Sequence, residues 1–132
     1  MTDHDDIVKT IHLYSHVVDT KEWHRLREVF DEKGAFVVAG TPVEAQGLAA
    51  VEEFMRGFGG HPLAHFMTNV VVDIDGDGDN ARALSMVFGP AADGTASIGR
   101  YADTLTRTPG GWRIARRDVT VISRNWSARA AG

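Results

Sequence analysis

Hydrophobic residues follow two different periods along this chain, a helical one first and a strand-like one later. In the first part, apolar side chains recur every three or four positions, at Ile7, Ile11, Tyr14 and Val18. Side chains at this spacing share one face of an α-helix. The pattern therefore predicts an amphipathic first helix over residues 5–18.

A second helix is predicted to follow directly. The tetrapeptide Asp19-Thr20-Lys21-Glu22 resembles a capping box, in which the first side chain accepts a backbone N–H of the first helical turn. Trp23, Leu26 and Phe30 would form the buried stripe of this helix, and Gly34 would end it.

A third helix is predicted over residues 48–58, and most of the remaining chain favours β-strands separated by Asp/Gly-rich or Pro-Gly turns. The predicted strands are two short ones, at 35–39 and 43–46, and four long ones, at 64–74, 81–88, 95–106 and 112–122. This order predicts an α+β fold; one way to bury its apolar faces is a strongly curved, mostly antiparallel sheet that wraps over three helices from the N-terminal half, with an apolar pocket on its concave side.

Composition narrows the class of protein. The chain has 132 residues, of which 43% are hydrophobic, so we expect one domain over residues 1–132 with a loose tail at 127–132. The absence of cysteine excludes disulfides, thiol nucleophiles and cysteine-ligated zinc. A formal net charge of −4 with scattered basic residues argues against nucleic-acid binding. Because neither a signal peptide nor a membrane-spanning run is readable, we expect a cytoplasmic protein without a membrane partner.

The strongest candidates for chemistry are two residues far apart in sequence, His65 and Asp19. His65 stands at the head of an apolar strand, and Asp19 lies at the junction of the first two predicted helices. If the fold joins them, the carboxylate orients the imidazole and raises its basicity, which equips it to remove a proton from carbon. Two structural alternatives remain open: Asp19 as the N-cap of the second helix, and His65 as an ordinary histidine at a strand end.

Two further residues are candidates for stabilising negative charge. Tyr14 lies on the buried face of the first helix, where it is either a packed core residue or a phenol that polarises a substrate oxygen. Arg100 alternates with Ile98 and Ala102, so it either faces inward to hold an anion or forms a salt bridge on the outer face. The pocket walls are predicted from apolar residues that also suit a core: Phe58, Met67, Met86, Phe88 and Trp112.

Two patterns imitate metal sites. His12 and His16 lie four residues apart, but on the polar side of the first helix, which favours a solvated face. Residues 73–79 carry acids at alternate positions, as in the first half of a calcium loop. Leu84 stands where such a loop requires a bidentate glutamate, so a hairpin turn is predicted instead.

Several short segments together resemble the SnoaL-like branch of the NTF2-like superfamily. The resemblance covers roughly residues 5–126 and is carried by Tyr14…Asp19-x-x-x-Trp23, His65-x-x-Thr68-Asn69, Asp75-Gly76-Asp77, Gly99-Arg100-Tyr101-x-Asp103 and Gly111-Trp112-Arg113-Ile114. It implies an α+β cone with a ligand cavity, a fold that hosts enzymes as well as non-enzymes.

Two enzymes of this superfamily, scytalone dehydratase and lindane dehydrochlorinase, use an Asp–His pair, and Asp19 and His65 match those positions by motif context. The resemblance therefore implies proton abstraction next to a leaving group. Ketosteroid isomerase is another relative, and Tyr14 stands where its first-helix tyrosine would. Residues 35–39 contain no acid where that enzyme has its catalytic base, which argues against a steroid-isomerase mechanism.

These observations predict a lyase or isomerase that acts on a small apolar cyclic or polyketide-like molecule without metal or organic cofactor. His65 would be the general base, Asp19 would orient it, and Tyr14 or Arg100 would stabilise developing negative charge. One alternative is a non-catalytic ligand-binding or association module of the same fold. Another is an accessory subunit that resembles the β-subunit of ring-hydroxylating dioxygenases.

The end of the chain suggests self-association. Val121, Ile122 and Trp126 could supply a hydrophobic patch on the open face of the predicted sheet. We therefore expect a homodimer, with a trimer as the alternative.

Overall fold

The computed structural model describes residues 2–128, and this part of the chain contains two α-helices, one short 3₁₀ helix and six β-strands. In chain order they are α1 (Asp3–Asp19), the 3₁₀ helix (Trp23–Glu28), β1 (Phe30–Val38), β2 (Glu44–Gln46), α2 (Leu48–Gly57), β3 (Phe66–Ile74), β4 (Asn80–Pro90), β5 (Ala96–Thr108) and β6 (Gly111–Trp126). The predicted order of helices followed by a strand meander is confirmed. Of the predicted loose tail, residues 129–132 lie outside the described part.

The six strands form one curved sheet in the order β2-β1-β6-β5-β4-β3. Neighbouring strands are antiparallel except β1 and β6, which run parallel. Register shifts interrupt the β3–β4 and β5–β6 ladders, and such irregularities bend a strand and increase its twist. The inner face of the sheet packs against α1. The α+β fold with a curved sheet over N-terminal helices is therefore as predicted.

Helix α1 begins with a capping box that the sequence pattern did not place there. The Thr2 side chain accepts the N–H of Asp5, and the Asp5 side chain accepts the N–H of Thr2. The predicted apolar stripe is buried, with Ile7 and Ile11 fully inaccessible to solvent. His12 and His16 are exposed on the other side, as their spacing indicated.

The second predicted helix is wrong in type, length and start. Asp19 is the last residue of α1, Lys21 takes a left-handed backbone conformation with φ of 57°, and the 3₁₀ helix begins only at Trp23 without a side-chain cap. Thr20 donates its hydroxyl to Glu22, so the last member of the expected capping box does not reach back to the backbone N–H of Asp19. Phe30 then starts β1 and does not continue a helix. The carboxylate of Asp19 is therefore not occupied as a helix N-cap.

The acidic segment between β3 and β4 is a hairpin turn, as predicted. The Asp77 carboxylate accepts the backbone N–H groups of Asp79 and Asn80 at 2.9 and 3.2 Å. Within residues 2–128, no group of three or more His, Asp or Glu side chains is arranged to hold a metal ion. In the same part of the chain, no helix is both long and apolar enough to span a bilayer.

Candidate active site

The end of α1 and the start of β3 bring Asp19 and His65 together. Asp19 Oδ1 lies 2.6 Å from His65 Nδ1, and Asp19 Oδ2 accepts the backbone N–H of His65 at 3.0 Å. The His65 side chain is 8% exposed and the Asp19 side chain 22%. Because both carboxylate oxygens bind one residue, the imidazole is fixed in position as well as in rotation.

The surroundings of His65 favour a neutral imidazole. Burial lowers the pKa of His65 below its usual value of 6.5; the hydrogen bond and charge of Asp19 oppose this, while the charges of His61 and Arg117 add to it. Because Asp19 accepts the hydrogen at Nδ1, the neutral ring keeps a lone pair at Nε2. His65 lines the cavity described below, so this nitrogen has the form that a general base needs.

Tyr14 lies beside the imidazole, and Tyr101 lies beside Tyr14. The ring of Tyr14 meets those of His65 and Tyr101 edge to face, at centroid distances of 5.7 and 5.8 Å. Burial is the main cause that raises the pKa of both phenols, so each keeps its proton as a hydrogen-bond donor. Both tyrosines line the cavity, and both also belong to the buried hydrophobic core. Tyr101 was not among the predicted site residues.

Behind the tyrosines lies a fully buried ion pair. Arg117 on β6 donates Nε and Nη2 to the two carboxylate oxygens of Asp103 on β5, each at 2.8 Å. The guanidinium carbon lies 4.4 Å from the ring centre of Tyr14 and 4.1 Å from that of Tyr101. Although burial alone would lower the pKa of Arg117, Asp103 raises it above its usual range, so the cation persists against both rings. No sequence pattern singled out this pair.

His61 forms another wall of the site. Its Nε2 lies 2.7 Å from the backbone carbonyl oxygen of Met55, and since a carbonyl only accepts, this nitrogen carries the hydrogen. Its ring packs on Trp23 and Phe58 and lies 6.5 Å from the ring of His65. His61 therefore narrows the cavity beside the candidate base.

These residues surround a cavity of about 340 Å³ that is open on one side. Most of its wall is apolar, and the larger apolar side chains are Phe36, Phe54, Met55, Phe58, Ile98 and Val121. The polar side chains on the wall are Tyr14, Thr41, His61, His65, Ser97, Tyr101 and Arg124. A volume of this size suits a small organic molecule.

Of the five apolar residues predicted to line the pocket, only Phe58 does so. Met86 and Phe88 alternate with the buried residues of β4 and lie on the outer face of the sheet. Met67 is buried in the core outside the cavity wall, and Trp112 lies near the start of α1, where its indole N–H donates to Asp3. Side chains alternate between the two faces of a sheet along each strand. A prediction that is off by one residue therefore assigns every side chain of the strand to the wrong face.

Arg100, for which the sequence left both faces open, lies on the outer face of the sheet. The alternation of β5 is regular in this part: Ser97 and Gly99 line the cavity, and the register shift against β6 places its extra residue, Ile122, on β6. From there, Tyr101 and Asp103 point inward and Arg100 is exposed on the outer face. The salt bridge suggested for it is not present within residues 2–128. The cationic side chain that does line the cavity is Arg124.

Comparison with known families decides the assignment of the fold. The model of the SnoaL-like domain family matches residues 1–118. The chain belongs to the SnoaL-like family. No curated protein matches this SnoaL-like chain.

Solved structures agree with this assignment. An NTF2-like protein with a cystatin-like fold from Novosphingobium aromaticivorans is 28% identical, with 92% of this chain and 82% of that chain covered and a TM-score of 0.72. A candidate scytalone dehydratase from the same organism is 20% identical over 98% and 95% of the two chains, with a TM-score of 0.74. A hexachlorocyclohexane dehydrochlorinase of type 2 is 13% identical over 97% and 89%, with a TM-score of 0.73. At such low identity, the last two show a shared fold.

Proposed function

We propose that this SnoaL-like protein is a cofactor-independent lyase or isomerase that removes a proton from a carbon atom of a small apolar molecule. The observation that carries the proposal is the 2.6 Å contact between Asp19 Oδ1 and His65 Nδ1, at the wall of an apolar cavity. This contact leaves His65 Nε2 as the proton acceptor. The likeness in fold to a candidate scytalone dehydratase and to a dehydrochlorinase is in keeping with elimination.

In the proposed reaction, His65 Nε2 takes the proton from the substrate carbon and becomes an imidazolium. The negative charge of Asp19, 2.6 Å from Nδ1, stabilises this cation. The electron pair of the broken C–H bond forms a double bond as a leaving group departs on the neighbouring carbon. In an isomerisation, the pair would move into a conjugated carbonyl group, and the imidazolium would return the proton at another carbon.

Tyr14 and Tyr101 are the proposed electrophilic partners. Both phenols line the cavity in protonated form and lie against the Arg117 cation, which makes them better donors to a developing anion. They would hydrogen-bond the departing group or the carbonyl oxygen. Arg100, which faces away from the cavity, has no part in this scheme.

The alternative of a ligand-binding module without catalysis would leave Asp19 as a structural cap. In residues 2–128, however, the hydrogen bonds that its carboxylate accepts come from the His65 ring and main chain, and no helix amide donates to it. This arrangement supports catalysis over binding alone.

A homodimer formed through the outer face of the sheet is part of the proposal. Phe66, Leu84 and Phe88 on β3 and β4 are exposed there, and Trp126 packs on Phe88 at a ring distance of 5.8 Å. Ile122 is exposed as expected, whereas Val121 lines the cavity. Exposed apolar side chains on one face of a sheet are commonly covered by a second copy.

The test is a screen for proton abstraction that does not depend on knowing the natural substrate. Cyclic β-hydroxyketones and β-haloketones would be incubated in heavy water, with deuterium incorporation followed by NMR and enone formation by ultraviolet absorbance. Wild type should accelerate either reaction for part of the panel, and His65→Ala should not. Equal rates for a folded His65→Ala protein would overturn the mechanism.

A further inference from the structure

The cavity carries an asymmetric distribution of charge. Of the described residues on its wall, Arg124 is the one with a permanent charge, and no carboxylate belongs to the wall. Arg124 is exposed and therefore marks the open edge, whereas the nearly buried side chain of His65 marks the inner end. A ligand that enters the cavity thus passes a fixed positive charge before it reaches the base.

Arg124 differs from most arginines of the chain in having no protein partner. Six arginines form ion pairs with Asp or Glu: Arg25, Arg56, Arg82, Arg107, Arg116 and Arg117. Arg27 and Arg113 donate to backbone carbonyl oxygens. Within residues 2–128, only Arg100 and Arg124 have neither kind of partner, and of these two only Arg124 lines the cavity. Its five N–H donors are available to a ligand.

The inner end of the cavity has no permanently charged side chain on its wall. While His65 is neutral, the charge of Asp19 behind it is not compensated by the imidazole. The Arg117 cation lies behind Tyr14 and Tyr101 and is already paired with Asp103, so it offers a ligand no direct ion pair. Of the described residues, Arg124 is therefore the cation with which an anionic group in this cavity can pair directly.

We propose that the ligand of this cavity is an aromatic or alicyclic monocarboxylate, whose carboxylate pairs with Arg124 at the mouth and whose apolar ring fills the interior. This inference rests on the proposed function for the role of His65, and it adds the class of substrate and its orientation. The carboxylate stays at the mouth during the reaction, while the carbon that loses its proton lies at the inner end beside His65. A neutral molecule of the same shape would lack this orientation.

A matched pair of ligands tests the charge preference without turnover. The affinities of 2-naphthoate and of the neutral 2-naphthamide would be measured by isothermal titration calorimetry at low salt. Wild type should bind the carboxylate about 1.4-fold to fivefold more tightly, which is the range of an exposed ion pair. Added sodium chloride should reduce this preference because exposed charges are screened.

Arg124→Gln should abolish the preference and leave the affinity for the amide unchanged. Arg100→Gln is the matched control, because it removes the same charge from the outer face of the same sheet, and it should keep the preference. Equal binding of both ligands by wild type, weaker binding of the carboxylate, a loss of preference in both variants, or no carboxylate binding at millimolar concentration would overturn the proposal.

The preference for the carboxylate and the proposed proton abstraction can succeed or fail independently. His65→Ala retains Arg124, so it should keep the preference for the carboxylate even though proton abstraction is lost. If wild type shows the preference but no substrate of the panel reacts, the proposed chemistry fails while the ligand class stands. If substrates react and the preference is absent, the chemistry stands and the ligand class fails.

Discussion

Asp19 binds His65 through both of its carboxylate oxygens, one to the imidazole and one to the backbone N–H. The two contacts are 2.6 and 3.0 Å long and join residues 46 positions apart in sequence. A carboxylate held in this way has little freedom to rotate away from the ring. It is consequently suited to fix one tautomer and to stabilise the imidazolium that forms when His65 accepts a proton.

Removing the acid should change the titration of this imidazole. In Asp19→Asn, the pKa of His65 should fall below its wild-type value, because the carboxylate is the group that raises it against burial. The measurement is an NMR titration of the ring resonances, assigned by their loss in His65→Gln. An unchanged pKa would contradict the pairing of the two side chains.

Turnover should depend strongly on the same pair. His65→Ala should lower kcat by about 10²-fold to 10⁴-fold, the range expected for loss of a general base, while the far-ultraviolet circular dichroism stays unchanged. The kcat of Asp19→Asn should lie between that of His65→Ala and that of wild type. His12→Ala, on the exposed face of α1, is the control and should keep full activity.

When the pH is lowered, the catalytic activity should be lost only below pH 6.5. Burial lowers the pKa of His65 in the folded protein, so the imidazole stays neutral and competent to lower pH than a free one. A pH profile of kcat/KM would report this pKa. An inflection above 6.5 would count against a buried, neutral His65 as the base.

The same shift predicts how His65 affects stability. Since its folded pKa is lower than the unfolded one, the unfolded chain binds more protons as the pH falls through 6.5. The contribution of His65 to folding is therefore present above that pH and is lost as the pH falls. Urea unfolding at several pH values should show less loss of free energy on acidification for His65→Gln than for wild type.

Breaking the buried Arg117–Asp103 pair should be costly. Asp103→Asn leaves a fully buried guanidinium without its counter-charge, and we expect a loss of about 3–5 kcal/mol in the free energy of unfolding. The exposed pair Arg116–Asp118 provides the control, because Asp118→Asn should cost no more than about 1 kcal/mol. Similar losses for both variants in chemical denaturation would contradict this difference.

The proposed homodimer should depend on the outer face of the sheet. Leu84, which is 53% exposed, lies in the apolar part of this face, so Leu84→Lys should convert the dimer to a monomer. Glu53→Lys, at an exposed position of α2, should leave the mass unchanged. Light scattering at micromolar concentration measures the mass of both variants and of wild type. A monomeric wild type would contradict the proposal.

Local pattern was enough to predict the order of the elements and the position of the candidate base. The buried stripe of α1 and the alternating long strands follow from the spacing of apolar residues within each element. The structure keeps this spacing because each element has one face in the core. The limit of such reasoning lies at the junction after Asp19. There, the left-handed backbone at Lys21 replaces the expected second helix by a short 3₁₀ turn, and this frees the Asp19 carboxylate for His65.

The sequence by itself determined which residues are able to do chemistry, and the tertiary structure decided which of them meet. Arg100 and Arg124 are chemically alike, but Arg100 lies between the inward-facing Gly99 and Tyr101 on β5 and is exposed on the outer face, whereas Arg124 lines the cavity. Asp103 and Arg117 become a buried pair because the β5–β6 register sets them directly opposite each other. Contacts of this kind join residues on different strands, and the register of the sheet determines which residues meet. No local period in the sequence encodes that register.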